Sequence, residues 1–223
     1  PRQWDAWDVD SNYAEAEIEL PAGGRVQVLE NGPWLASLKV TRKVGASTFN
    51  QEIRLRHDSR RIDFITTVDW QEQHRLLKVA FPVNIHAEEA IYEIQGAHVR
   101  RPNHLSRPYD ADRFEVPLQR WMALAEEGRG AALLNDCKYG GNTLGNCMQL
   151  SLLRAPVAPD PQADRGEQRF TYSLYVWNGS LIQSGLLREA YDLNVPVEQS
   201  AGDGAARSFF SLDAENVFIE TVK

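Results

Sequence analysis

Residues 133–142 read LLNDCKYGGN: an apolar run that ends on an amide, a carboxylate, a thiol, an amine and a phenol in immediate succession. Cys137 as a nucleophile requires a His base close in space. His98 and His104 exist, but nothing in the sequence brings them near. A sugar pocket asks less of the same residues. Asp136 and Lys138 can exchange hydrogen bonds with hydroxyls, and Tyr139 can stack on a pyranose face. The structural reading is a hairpin in which Gly140 and Gly141 supply positive φ while Asn135 and Asp136 bond the local backbone. The two readings are compatible, so a polar turn at a sheet rim is expected, with Asp136 and Tyr139 as substrate-contact candidates.

Other constellations are thinner. The histidines are His57, His74, His86, His98 and His104, and the six-residue step from His98 to His104 matches no common zinc spacing. No Cys-x-x-Cys or His-Glu-x-x-His occurs, so no metal site is expected within the chain. Glycoside hydrolysis usually needs two carboxyl groups. Asp5, Asp8, Asp10, Asp160 and Asp164 are all available, and nothing singles out a pair. Arg154 stands where QLSLLR meets the Pro- and Asp-rich loop of residues 157–168. A guanidinium at a strand end can clamp two vicinal hydroxyls with its fork of donors, or form an ion pair with a neighbouring Asp.

The elements that must carry these groups are strands. Residues 34–44 alternate, with Trp34, Ala36, Leu38 and Val40 on one face. In residues 61–70 the shared face is Ile62, Phe64, Val68 and Trp70, with Asp63, Thr67 and Asp69 opposite. Leu77, Val79, Phe81, Val83 and Ile85 alternate in the next run. Further strands are expected in RVQVLE, AIYEIQ, RFEVP, RGAALLND, CMQLSLLR, RFTYSLYVW, RSFFSL and VFIETV. Residues 100–109 hold two prolines without periodicity and read as a loop. Residues 180–194 alone look helical, with Ser180 as N-cap. About a dozen strands and one short helix describe two antiparallel sheets packed face to face.

Composition narrows the partners. The chain has 223 residues, 43% hydrophobic, enough for a sizeable core. A net charge of −7 repels phosphate backbones, so no nucleic-acid partner is expected. No apolar run approaches the roughly 18 residues of a membrane span. Two cysteines are too few for a disulfide framework, and a reduced, cytoplasmic setting is expected. The opening PRQWDAWDVD and the closing NVFIETVK suggest a piece of a larger protein.

The segments YEIQGAHVRRPNH, RFEVPLQRWMALAEEGRGAALLNDCKYGGN, LSLLRAPVAPDPQADRGEQRFTYSLY and EAYDLNVPV occur in that order. Together with WDAWDVD and FFSLDAENVFIETVK they resemble the C-terminal β region of glycoside hydrolase family 38, the α-mannosidases, in its bacterial and cytosolic branch. The resemblance implies an all-β fold: one large antiparallel β-sandwich over residues 1–223, similar to the galactose-mutarotase type. It implies a zinc-dependent retaining hydrolase of terminal α-mannosides. The zinc ligands and nucleophilic Asp would lie in an N-terminal catalytic domain outside this chain, on which the β domain packs and to whose sugar site it lends loops. The chain alone would be inactive. By its strand-then-loop position, Arg154 matches the family's sugar-contacting Arg, and Asp136 and Tyr139 are carried over from the turn. Homo-oligomerisation stays open. Two alternatives remain: a stand-alone carbohydrate-binding module, for which six tryptophans are available although Trp34 and Trp70 read as core, and a mutarotase-like epimerase using His86 and Glu93.

Overall fold

The computed structural model describes residues 4–18, 20, 23–197, 204, 208–214, 217–220 and 222. The chain begins its sheet with a four-strand meander, β1 (Arg25–Asn31), β2 (Leu35–Val44), β3 (Ser47–Arg56) and β4 (Arg61–Trp70). It continues with β5 (Leu77–Pro82), β6 (Glu89–Ile94), β7 (Ala97–Pro102), β8 (Val116–Pro117), β9 (Trp121–Glu126) and β10 (Arg129–Asn135). Then follow β11 (Gly140–Leu144), β12 (Cys147–Leu153), β13 (Gly166–Asn178) and the helix α1 (Leu186–Asn194). Nine strands make one sheet in the order β1-β2-β3-β4-β13-β10-β9-β6-β7, and four make the second, β5-β12-β11-β8. The pairings are antiparallel throughout, as expected for an all-β sandwich with one short helix.

The main core lies between the sheets. Val68, Trp70, Met122, Leu124 and Leu133 from the large sheet meet Met148 and Leu150 from the small one. A second core forms on the outer face of the large sheet, where Leu186 and Ala190 of α1 settle on Ile91, Ala132, Leu134 and Trp177. Arg61 is buried there. It donates to Asp63 at 2.8 Å and to the Glu189 carbonyl of α1 at 2.7 Å, and Ser173 donates to Asp63 at 2.7 Å. An unpartnered charge at such a depth would cost several kcal/mol, so this network fixes where α1 sits.

Several expectations are corrected. Gly140 and Gly141 are not a positive-φ turn. They open β11, and the hairpin turn comes at Gly145, with φ +57°. Gly141 is needed for closeness instead: a Cβ there would stand 2.6 Å from the Gln149 carbonyl and 3.0 Å from Leu118 and Met122 side-chain carbons. Trp34 is 76% exposed, whereas Trp70 is buried as expected. Trp34 lies just before β2, and its ring contact among the described residues is the His57 edge at 5.5 Å. Arg100 and Pro102 belong to β7, and Pro108–Arg113 form a 3-10 turn rather than open loop. Of RFEVP only Val116–Pro117 is strand.

The helix starts at Leu186, not after Ser180. Gly185 is its N-cap residue, and the Ser184 hydroxyl accepts from the Leu186 amide. Tyr175 donates its hydroxyl hydrogen bond to the Ser184 carbonyl, which folds residues 180–184 back into a turn. Strands β3, β7, β9 and β11 are not among the expected runs, while residues 208–212, 217–220 and 222 are not strand. Arg207 and Thr221, the other members of those two expected strands, lie outside the described residues.

Substituting Gly141→Ala is expected to destabilise the chain by about 1–3 kcal/mol through overpacking. Urea denaturation followed by tryptophan fluorescence reads this directly, and an unchanged midpoint would contradict the close approach.

Candidate functional site

The turn after β10 is built by Asn135, which is fully buried. Its amide donates to the Arg120 carbonyl and its Nδ2 to the Gln119 carbonyl, both at 2.9 Å, while its Oδ1 accepts from the Lys138 amide at 2.7 Å. Asp136 then extends the β10–β13 ladder by side chain. Its Oδ2 accepts from the Thr171 amide at 2.8 Å, and its own amide donates to the Thr171 carbonyl at 3.1 Å. Lys138 lies 4.7 Å from the Phe170 ring centroid. Burial, with the Asp136 carboxylate alongside, pushes the Cys137 thiol up to about 11, which starves it of thiolate at neutral pH. Tyr139 keeps 57% of its surface exposed at the start of β11 and offers an open ring at the rim.

Arg154 lies elsewhere, just past the end of β12. Its amide and that of Ala155 donate to Asp164 Oδ2 at 2.9 and 2.8 Å, so the Pro-rich loop folds back onto the strand end. The Arg154 Nε is buried without a hydrogen-bond partner among the described residues. The expected alternative, an ion pair with a neighbouring Asp, is not formed among those residues. Its charge still reaches Asp5 through space.

Asp5, in the WDAWDVD segment, is the buried acid of this corner. It accepts from the Val157 amide at 3.1 Å and the Ala158 amide at 3.0 Å, and it faces His74 Nδ1 at 2.9 Å. His74 is held in turn by its amide, which donates to the Ala155 carbonyl at 2.8 Å. Burial alone would raise the Asp5 carboxyl. The Ala158 and Val157 amides, with His74 and Arg154, more than offset this and hold it below the ordinary carboxylate value.

A second polar cluster lies on the outer face of the small sheet. Lys78 of β5 pairs with Glu115 and also donates to Ser151 of β12 at 3.1 Å, and Ser151 donates to Glu115. Tyr13, from the 3-10 turn Tyr13–Ala16, covers the ammonium with its ring centroid 5.3 Å from Nζ. Burial, reinforced by Glu115, pushes the Tyr13 phenol up to about 12, and burial draws Lys78 below its usual range against the pull of Glu115. Both clusters therefore share one architecture: the N-terminal segment laid over the start of β5 and the end of β12.

Arg154 is not joined to Asp136 or Tyr139 by any contact among the described residues. His86 and Glu93 are not brought together either. Both Glu93 oxygens face Arg120, whose Nη2 lies 2.6 Å from Oε1, while the His86 amide donates to Glu126. Among the described residues no three His, Cys, Asp or Glu side chains converge on a metal position. Asp5 and His74 form a pair only, and the Asp5 oxygens are already occupied by amides, so this corner does not fit a zinc ion.

The Glycosyl hydrolases family 38 C-terminal domain profile matches residues 1–162. The chain belongs to glycosyl hydrolase family 38. It is 41% identical to human Alpha-mannosidase 2C1 over 229 aligned positions, covering the whole of this chain and 22% of that protein. It is 39% identical to Alpha-mannosidase G of Dictyostelium discoideum, covering 99% of this chain and 21% of that protein. The chain thus spans about a fifth of the length of the curated relatives it matches. Among solved structures, an alpha-mannosidase from Enterococcus faecalis V583 superposes with a TM-score of 0.69 at 17% identity, over 78% of this chain and 24% of that one. That likeness establishes the family's sandwich fold. In this family 38 domain no helix of the described residues is long and apolar enough to cross a membrane.

The Asp5 clamp carries a pH signature. Its folded pKa is depressed, so its stabilisation is complete above the unfolded value of about 3.9 and is lost as pH falls through the lower folded value. Asp5→Ala is expected to cost about 1–3 kcal/mol at pH 7 by leaving buried amides without an acceptor, and to flatten the acid limb of the stability profile. Thermal melts between pH 2 and 7 decide; an unaltered acid limb would refute the clamp.

Proposed function

We propose that this chain is the C-terminal β domain of a retaining, zinc-dependent α-mannosidase that removes terminal α-linked mannose. In this reading the domain packs on a catalytic domain elsewhere in the same polypeptide, which supplies the zinc ligands and the nucleophilic carboxylate. Family membership supports the reaction class, and the 31–41% identity to alpha-mannosidases supports the substrate. The observation that carries the local role is Arg154: a guanidinium at a strand end whose buried Nε has no partner among the described residues. Its fork of donors matches a vicinal diol, and Asp164 fixes its backbone. Tyr139 offers a ring for a sugar face, and Asp136 holds the turn that presents it. Free Cys137 and Cys147 accord with a cytoplasmic, reducing location.

The test uses the full-length polypeptide and a chromogenic α-mannoside. Hydrolysis with retained anomeric configuration by NMR, abolished by chelation and restored by zinc, is the expected result; inversion or chelator-resistant turnover would overturn the mechanism. The 223-residue chain alone is expected to give no turnover, and turnover by it would place the catalytic groups here instead. Arg154→Ala in the full-length enzyme is expected to raise KM by about tenfold or more with a smaller effect on kcat, as for a lost ground-state contact. An unchanged KM removes Arg154 from the sugar site.

A further inference from the structure

The apolar face of the large sheet does not stop where its cover stops. Register carries one row from Tyr172 on β13 to Phe64 on β4, then to Ile53 on β3, Leu38 on β2 and Val28 on β1. A neighbouring row runs from Leu174 through Ile62 and Leu55 to Ala36. Tyr172 is buried in the core, yet Leu38 is 40%, Leu55 46% and Val28 61% exposed. The opposite face of these strands carries Gln27, Lys39, Glu52 and Arg54. The alternation is that of strands with one buried side. Its Val44 and Phe49 end belongs to the core, but around Val28, Leu38 and Leu55 the apolar side lies open.

The small sheet ends at the border of this floor. Its order is β5-β12-β11-β8, and β5 pairs only with β12 among the described residues. Phe81 of β5 rests on Phe64 and Tyr172, with ring centroids 5.4 and 6.2 Å away. The free edge of β5 therefore stands over β4, next to the exposed stretch of β3, β2 and β1 around Leu55, Leu38 and Val28. Unpaired backbone groups beside an apolar floor make a template for another strand.

We propose that a β-strand of the same polypeptide, from outside these 223 residues, pairs with the free edge of β5 and lays alternate apolar side chains over Val28, Leu38 and Leu55. This inference rests on reading the chain as one domain of a longer glycosidase. Two observations select that occupant. The floor is continuous with the existing core, so its cover must have the chemistry of another inner strand. The chain accounts for only 22% of its human relative's length, which leaves ample polypeptide to supply one. A sugar would find no hydrogen-bonding group among the three floor residues. A second copy would bring together two chains of net charge −7.

The test is cysteine protection in the full-length protein. Val28→Cys, Leu38→Cys and Leu55→Cys are made separately, treated with a maleimide, and mapped by mass spectrometry. Labelling in the native monomer is expected to run at least about a hundredfold slower than in the unfolded protein, because access requires local opening. Labelling near the unfolded rate would overturn the proposal, and so would protection that vanishes on dilution, since that assigns the cover to a second copy. Hydrogen exchange of residues 77–82 in the unsubstituted protein gives a readout free of folding effects: slow exchange of both β5 edges supports the added strand, and fast exchange of one edge refutes it. α-Mannoside turnover is measured on the same preparations. An active enzyme with an accessible floor counts against this inference alone, and an inactive one with a protected floor counts against the functional reading alone.

Discussion

The small sheet is seated by three rings. Phe64 and Tyr172 stack at 5.1 Å across neighbouring strands of the large sheet, and Phe81 of β5 meets Phe64 at 5.4 Å. Such pairs contribute about 0.5–1.5 kcal/mol each beyond their buried area. The Tyr172 hydroxyl also accepts from Gln51 Nε2 at 2.8 Å, so β3 is tied to the same point. From these rings toward β9 the inner face of the large sheet is buried against the small one, with Met122, Leu124 and Leu133 packed on Met148 and Leu150. Toward β1 the same apolar pattern continues, buried at Val44 and Phe49 but exposed at Leu55, Leu38 and Val28. The border between the buried and the exposed stretch of this face therefore runs close to the aromatic contact.

The other face of the large sheet is closed differently, by polar rather than apolar fit. Arg61 joins Asp63 and α1, and the buried cation is tolerated because its neighbours are hydrogen-bonded in turn. Burial raises the Glu189 carboxyl although Arg61 opposes it, as expected for an acid drawn under a helix by its partner. The helix transmits this placement to the rim. Asn194, its last residue, donates to the Asn135 carbonyl at 3.0 Å, and Asn135 organises the turn that carries Asp136 and Tyr139. A sheet-to-helix ion pair thus decides where an exposed phenol ring stands. Arg120 adds a second strut, paired with Glu93 and lying 4.3 Å from the Tyr191 ring of α1.

Much of this was legible in the residues, and the limits have physical causes. Period-two alternation located β2, β4, β5 and β13, since each has a distinct apolar face. It passed over β9, whose WMALAE is buried on both faces and has no alternation to read. It passed over β3, whose STFNQEIRLR is polar at most positions. Trp34 was misplaced because alternation gives the face of a strand but not whether another layer covers it. At the site, Arg154 was visible as a strand-end guanidinium, whereas the clamp of Asp5 on Val157 and Ala158 was not. Those partners are 152 and 153 residues apart, and no local spacing encodes such a pair. The family-like WDAWDVD segment was the one available hint that this stretch is held in place.

The Asp5 clamp also explains how an unpaired guanidinium can persist at Arg154. A partly buried guanidinium normally draws the nearest carboxylate into a salt bridge, and such a pair would occupy its donors. Here the nearby acids are already engaged. Asp5 is held by two amides and His74, and Asp164 by the amides of Arg154 and Ala155. Those engaged oxygens leave the Arg154 Nε unclaimed among the described residues. The corner therefore holds a cation whose Nε keeps its hydrogen-bonding capacity. Neutral polyhydroxylated ligands need that combination, because they offer acceptors but no counter-charge of their own.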